Sequence, residues 1–240
     1  MAGARVVHVS IAAPRLKLTG ISLPGGEQPL LRRLQFFDEE RLPDEMFTEP
    51  LLPRLVSLHL VHLESIVQPG LPRTHGPRDF YSRCDASLVA AAICCRRLRI
   101  VVTRERMSTI ALLMFVELAS SNFRSLFVRR NAVLRRSTFP LNAILNALAE
   151  CSLSSGQRDR RDLNDLLFYG GLPLKIPTRQ QLSAMLSRLE PIARSIPKTE
   201  QWIAHKLRHS HGDFQFLSDK AFCNLSPRLA NMHGSTFAYS

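Results

Sequence analysis

The chain has 240 residues, of which 45% are hydrophobic and 22% are charged, and its formal net charge is +12. This hydrophobic share is enough for a globular core in one or two domains, and it excludes a disordered chain. No apolar run approaches the ~18 residues that a membrane-spanning helix needs. The five cysteines are an odd number without disulfide-type spacing, which is typical of a reducing compartment. We therefore expect a soluble intracellular protein.

The positive charge is concentrated in the middle of the chain. Residues 81–140 hold 11 Lys and Arg against 3 Asp and Glu, and 27 of the 32 basic residues of the whole chain are arginine. Arginine suits bidentate contacts with phosphate or carboxylate groups. However, Leu, Arg and Ser, which have six codons each, are all abundant, as coding bias or an overlapping reading frame would produce. Arginine richness is therefore weak evidence for nucleic-acid binding.

The segment over residues 42–69 resembles a degenerate F-box. Leu42-Pro43 opens it, Leu52-Pro53 follows ten residues later, and Pro69 lies further downstream. Proline suits the first turn of a helix, because its missing N–H has no helical partner there and its fixed φ is helical. The apolar residues that follow recur at the spacing of a helix that binds in a groove: Leu55, Val56, Leu60, Leu63, Ile66 and Val67. The alternative is an amphipathic helix packed into the protein's own core.

Pro69-Gly70 ends the helix that this pattern predicts over residues 51–67. A loop from Leu71 to Arg78 contains Pro72, Gly76 and Pro77 and is a candidate domain boundary. We predict an N-terminal arm, residues 1–78, with the F-box-like segment at about residues 42–69. A helical or α+β target-directing domain is predicted over residues 79–240.

The second predicted domain is mostly helical. The Ala-rich stretch Asp85–Cys95 predicts a helix, and the β-branched run Leu98–Thr103 predicts a short strand. Ser108 is placed to cap another helix. Further helices are predicted over residues 140–150 and 178–189, the latter begun by a capping box of Thr178 and Gln181. The expected fold class is therefore mainly α with a small β element (α+β), with an F-box-like N-terminal helix.

A basic segment with interleaved aromatic rings follows the second of these helices. Between Phe123 and Phe139 it carries five arginines and three phenylalanines: Arg124, Arg129, Arg130, Arg135 and Arg136, with Phe123, Phe127 and Phe139. Such a segment could bind RNA through phosphate contacts and base stacking. The alternative is a helix with a solvated basic face, which we favour because Phe123 and Phe127 are four residues apart and would both face the core.

The residues from Gly170 to Pro177 predict an extended surface segment. Gly170 and Gly171 are placed to end a helix, and the prolines disfavour helix in the residue before each of them. Leu172, Leu174 and Ile176 would then lie on one side of the extended run. This run is a candidate contact for a target protein.

Motifs for chemistry are absent from the sequence. His205, His209 and His211 with Cys223 form the one plausible metal cluster, but they lack a fourth ligand at a recognised zinc spacing. The helix end that holds them is better explained as a surface with cations near its C-terminus. Nucleophile elbows, glycine-rich phosphate loops and paired catalytic carboxylates are also missing. We therefore expect a non-enzymatic protein without a metal or cofactor.

Three features together resemble the silencing suppressors encoded by the first reading frame of poleroviruses. Leu52-Pro53-Arg54-Leu55-Val56 with the downstream Pro69 is similar to the minimal F-box pattern of that family, although Val56 replaces the usual Leu or Ile. The run from Phe168 to Pro177 is similar to a Gly-Phe/Leu-Pro segment late in those proteins. Chain length and the strand-then-helix block over residues 99–121 are the third feature.

This resemblance implies a viral suppressor of host RNA silencing and a virulence factor of a plant virus. Leu52, Pro53, Val56 and Pro69, or alternatively the upstream pair Leu42 and Pro43, would bind a Skp-type subunit and recruit the host SCF ubiquitin ligase. Gly171, Leu172, Pro173 and Pro177 would direct Argonaute proteins to degradation. The implied location is the host cell cytoplasm, with the nucleus and endomembranes as alternatives. The main rival function is a basic RNA-binding protein that sequesters small RNA.

Overall fold

The computed structural model of the chain describes residues 7–10, 31–35, 64–67, 85–135, 140–155, 176–209 and 212–225. The strands in these ranges are β1 Val7–Ser10, β2 Leu31–Gln35, β3 Ser65–Val67, β4 Ile100–Thr103, β5 Met107–Ser108, β6 Ser125–Arg129, β7 Val133–Leu134 and β8 Asp213–Leu217. The helices are α1 Asp85–Cys94, α2 Thr109–Leu118, α3 Leu141–Ser155, α4 Arg179–Ala193, α5 Ile196–His209 and α6 Asp219–Cys223. A 3₁₀ turn, Arg130–Ala132, separates β6 from β7.

Six of the strands form one parallel sheet in the order β1-β2-β3-β4-β6-β8. These six strands have the same order in the sheet as along the chain, and every pairing is parallel. The short strands β5 and β7 pair in a second, two-stranded sheet. The described part is therefore mixed α/β. Helices predominate, as the sequence predicts, but the β portion is a six-stranded sheet rather than a small element.

One apolar register row crosses the whole six-stranded sheet. Its members pair from strand to strand: Val9, Leu34, Ile66, Val101, Leu126 and Phe214. Paired residues of a parallel sheet lie on the same face. Ile66, Val101 and Leu126 are at most 1% exposed, and they belong to a core cluster that includes residues of α1 to α5. We call the side of the sheet that carries this row the helix face.

Strand β3 corrects the sequence prediction for its segment. The F-box-like helix was predicted to run to Val67, but Ser65–Val67 is a strand between β2 and β4. Ile66 and Val67 are both 0% exposed. Since short apolar runs fit a strand or a helix equally well, the apolar spacing alone could not decide between them.

Helix α2 is the centre of the helical layer. Its first eight residues are buried, and it packs against α1, α4 and α5, so it is apolar on all sides as a core helix must be. Ser108 caps it as predicted, since the Ser108 Oγ accepts the Ala111 N–H at 3.3 Å. The same Oγ donates to Oδ2 of the buried Asp85 at 2.8 Å. The first residue of α1 is therefore bonded directly to the N-cap of α2.

Helices α4 and α5 are tied to α2 by one carboxylate. Glu117 on α2 forms ion pairs with Arg188 of α4 at 2.6 Å and with Lys206 of α5 at 2.9 Å. Burial raises the pKa of Glu117, but the hydrogen bonds to Lys206 and Arg188 outweigh it, so the pKa lies below its usual value. The predicted capping box of Thr178 and Gln181 is present at the start of α4.

Strand β8 joins the sheet through a close backbone approach at Gly212. The Gly212 N–H donates to the Leu207 carbonyl at 2.7 Å, and the Asp213 N–H donates to the Arg124 carbonyl at 2.6 Å. A Cβ atom on Gly212 would lie 2.6 Å from the Arg124 oxygen. Only glycine fits there without a shift of backbone.

We expect Gly212→Ala to destabilise the protein, because the new methyl group would push β8 away from β6. Overpacking of this kind costs about 1–3 kcal/mol. Urea unfolding measures the change, and Gln215→Ala, an exposed position of the same strand, is the control with an expected effect within about 0.5 kcal/mol. Equal stability of Gly212→Ala and the wild type would contradict this packing.

Candidate functional site

The side of the sheet opposite the helix face has a different character. Strand residues alternate between faces, so the neighbours of the apolar register row point to this side. We call it the second face. It consists of Ser65, Val67, Ile100, Val102, Ser125, Phe127, Asp213, Gln215 and Leu217. It has an apolar part and a polar part.

The apolar part is covered by the C-terminal helix of the described chain. Val67, Val102 and Phe127 form a small cluster with Phe222 of α6 and with Leu225. Phe222 is 0% exposed, and full burial of such a side chain stabilises by about 1.5–3 kcal/mol. Helix α6 therefore closes this half of the second face.

An ion pair fixes the start of α6 to the end of β6. The Arg129 Nε lies 2.8 Å from Asp219 Oδ1, and the Arg129 Nη2 lies 3.4 Å from Oδ2. This fork geometry is specific to arginine. Ser218 caps α6 by accepting the Ala221 N–H at 3.3 Å. The hydrogen bond from Arg129 lowers the pKa of Asp219, with a smaller contribution from Asn131.

The polar part of the second face lies on β8 and at the start of β6. Asp213 and Gln215 are exposed, and the Gln215 amide donates to Asp213 Oδ2 at 3.1 Å. Ile100 and Ser125 beside them are half-buried. Asp213 and Gln215 form an accessible polar strip on β8, whereas Ile100 packs against the apolar cluster around Val67, Val102 and Phe127. The strip has no paired catalytic carboxylates and no activated nucleophile.

The basic segment after α2 is largely committed to internal contacts. Arg129 pairs with Asp219, Arg130 pairs with Glu200 at 2.9 Å, and Arg124 donates to the Ser121 carbonyl at 2.7 Å. Phe123 is 2% exposed and Phe127 is 5% exposed, so neither ring is available to stack on a base. Both rings are buried as predicted, but the predicted helix is wrong. Strand β6 places Phe127 on the second face, while Phe123 belongs to the core under the helices.

Most residues of the predicted adaptor motifs lie outside the described ranges. These are Leu42, Pro43, Leu52, Pro53, Val56, Pro69, Gly171, Leu172 and Pro173. Pro177 is half-buried and directly precedes the N-cap Thr178 of α4, and Ile176 beside it is 41% exposed. The exposed Ile176 is compatible with a contact residue at the end of the predicted extended run.

The sequence carries a short repeated pattern, at unequal spacing, that points to the sheet. Leu98-x-x-Val101-x-Thr103 and Phe123-x-x-Leu126-x-Val128 are the same pattern 25 residues apart, and the sheet register pairs Val101 with Leu126 at this offset. Leu63-x-x-Ile66 begins a further copy. The copies are separated by 25 and 35 residues, so a search for a constant period misses them, although a search for the short pattern would have found them.

The predicted histidine pair is present, with His205 and His209 neighbouring each other on α5. Within the described ranges, however, no three residues of the His, Cys, Asp and Glu types come together as a metal site. None of the helices described above has the length and apolar character required to cross a bilayer. Comparison with protein-family models, with curated proteins and with solved structures finds no match to this chain.

The Asp219–Arg129 pair predicts a pH dependence. Because the folded pKa of Asp219 is lowered, the pair stabilises the protein above the unfolded pKa of about 3.9 and loses this contribution as the pH falls through the folded pKa. Since the pair is partly exposed, its contribution is at most about 1 kcal/mol. Asp219→Asn should therefore reduce the stability at pH 6, and the difference from the wild type should shrink as the pH falls below about 3.9.

Urea unfolding across this pH range measures the difference, and hydrogen exchange of the Phe222 amide reports the release of α6. The control is Asp213→Asn, an exposed carboxylate on the same face that accepts a hydrogen bond from the neutral Gln215. A stability difference for Asp219→Asn that stays constant down to pH 2 would show that the carboxylate charge is not what holds α6.

Proposed function

We propose that this chain is a non-enzymatic adaptor that binds a target protein on the second face of its sheet and a Skp-type subunit through its N-terminal segment. The observation that carries the proposal is the order of the strands. Six parallel strands lie side by side in chain order, with helices α1 to α5 on one face. Within the described residues, α6 covers the apolar part of the other face, and Asp213 and Gln215 on strand β8 are exposed there.

This arrangement is typical of repeat proteins, whose stacked units form extended binding surfaces. Phe123-x-x-Leu126-x-Val128-x-x-Asn131-x-Val133 fits the leucine-rich-repeat pattern, with Phe and Val in leucine positions. Each of the strands β4 and β6 is followed in the chain by a short strand, β5 and β7 respectively. These two short strands also pair in parallel, with Met107 beside Val133. A repeat scaffold presents side chains from several strands to one partner, which is what an adaptor requires.

The same strand order argues against an enzyme of the common α/β type. Open α/β sheets bind their ligands at the carboxyl ends of the strands, in the crevice where the strand order reverses. The order does not reverse between β1 and β8 among the described strands. At the carboxyl end of β4, Arg104 and Glu105 are buried and form an ion pair at 3.4 Å, which leaves them as structural groups.

The Skp-binding part of the proposal is supported by the sequence. The Leu-Pro pairs at 42–43 and 52–53 would each begin a helix with apolar residues on one side. Because Ile66 and Val67 are fully buried in β3, they are not available to a partner. Leu52, Pro53, Val56 and Pro69, or the upstream pair Leu42 and Pro43, remain the proposed contact residues.

The identity of the target is supported by the sequence resemblance alone. It names host Argonaute as the degraded protein, suppression of RNA silencing as the outcome, and the host cytoplasm as the location. Small-RNA sequestration is the alternative. The burial of Phe123 and Phe127 counts against base stacking by this segment, and the ion pairs of Arg129 with Asp219 and of Arg130 with Glu200 compete with phosphate contacts.

The first test separates the two Leu-Pro pairs. We expect Leu52→Ala with Pro53→Ala to weaken binding to a plant Skp-type subunit at least about 30-fold, since loss of an anchor residue costs about 2 kcal/mol or more. Isothermal titration calorimetry measures the affinity. Leu42→Ala with Pro43→Ala is the matched variant, and it identifies the upstream pair as the motif if it alone abolishes binding. Wild-type affinity in both variants would refute the F-box interpretation.

The second test concerns the accessible strip. Asp213→Arg with Gln215→Arg should abolish the loss of Argonaute in infiltrated leaves while Skp binding is kept, because two long cations would occupy the strip. Gln180→Arg with Ala184→Arg places two arginines at exposed positions of α4 instead and should change neither activity. The RNA-binding alternative would be favoured if suppression of silencing across the variants followed their affinity for small RNA. That affinity should then fall steeply between about 50 and 200 mM salt.

A further inference from the structure

Two histidines form a preorganised pair at the C-terminal end of α5. His205 and His209 are four residues apart, so they lie on the same side of the helix, and both are exposed. Their Nε2 atoms are 3.1 Å apart, and their rings meet at 76° with a centroid distance of 4.4 Å. The two Nε2 atoms therefore meet at the protein surface, where one donates a hydrogen bond to the other and the tautomers decide which is the donor.

This distance is close to what a shared metal ion requires. Zinc binds imidazole nitrogen at about 2.0–2.1 Å, which places two nitrogens of a tetrahedral site about 3.3 Å apart. A shift of a few tenths of an ångström in two exposed side chains would bring the pair to that separation. From this geometry we propose that His205 and His209 chelate one divalent transition-metal ion, Zn²⁺, Ni²⁺ or Cu²⁺, through their Nε2 atoms, with water completing the coordination shell.

The surrounding charges permit a cation at this position. Lys206 lies between the two histidines in sequence, but its ammonium group pairs with Glu117 at 2.9 Å and lies 5.8 Å from the centre of the Trp202 ring. His209 is the last residue of α5, where the negative end of the helix dipole favours positive charge. Arg208 is another exposed cation of this stretch of α5, and its charge would lower the affinity for a metal ion.

Metal binding at this pair would act on the fold as well. The ion would join two successive turns at the end of α5, and the Leu207 carbonyl between them accepts the Gly212 N–H that leads into β8. A ligand that binds only the folded state stabilises it by mass action. The metal would therefore stabilise the connection of α5 to β8, independently of any adaptor function.

Calorimetric titration of the full chain with ZnCl₂, and separately with NiCl₂, tests the proposal. We expect one ion per chain in the wild type and a loss of affinity of at least about tenfold in His205→Gln and in His209→Gln, since each change converts a chelate into a single ligand. The double variant should be little weaker than either single variant. Gln201→Ala, an exposed substitution one turn earlier on α5, should bind like the wild type.

Thermal unfolding provides a second measurement with the same variants. Zn²⁺ should raise the melting temperature of the wild type and of Gln201→Ala but of neither histidine variant, and Mg²⁺ should have no effect on any of them. Circular dichroism without metal confirms that the variants are folded, which is expected because both side chains are exposed. Wild-type affinity in His205→Gln or in His209→Gln would overturn the site, as would binding without any increase in melting temperature.

Discussion

The parallel pairing of β3, β4 and β6 places Ile66, Val101 and Leu126 in one row beneath the helices, and the rest of the structure depends on the burial of that row. All three side chains are excluded from water, so each strand must keep its register to avoid turning an apolar residue outward. Helix α2 is buried against this layer and in turn contacts α1, α4 and α5. Removing water from this shared surface is the main favourable contribution to the fold.

Polar groups then fix how the helices sit on that core. Asp85 bonds the N-cap Ser108, and Thr109 donates to the Ala193 carbonyl at 2.7 Å, so the start of α2 is joined to both α1 and α4. At the other end of α2, Glu117 pairs with Arg188 and Lys206. Buried polar groups cost free energy unless they are bonded. These contacts therefore specify one arrangement of helices that apolar packing alone would leave loosely determined.

The second face of the sheet is the surface on which the proposed function depends. The apolar half of this face is closed by Phe222 and Leu225, which removes a patch that would otherwise promote nonspecific association. The ion pair between Arg129 and Asp219 uses a charge from the basic middle of the chain to hold α6 in place. The polar strip around Asp213 and Gln215 stays accessible. The net charge of the sequence therefore overstates the positive charge that is available to partners, because several arginines form ion pairs within the chain.

Local sequence determined the elements whose signals are short-range. The Ala-rich helix α1, the strand β4 and the caps at Ser108 and Thr178 were all predictable, because capping side chains and β-branched runs act within a few residues. Tertiary structure decided the rest. Residues 65–67 and 125–129 became strands rather than helices because neighbouring strands supplied backbone partners from 25 to 88 residues away in register, and no local pattern records that distance. The second face likewise forms from residues that meet only when the sheet has assembled. The same is true of the packing of α6 on it and of the ion pair between Arg129 and Asp219.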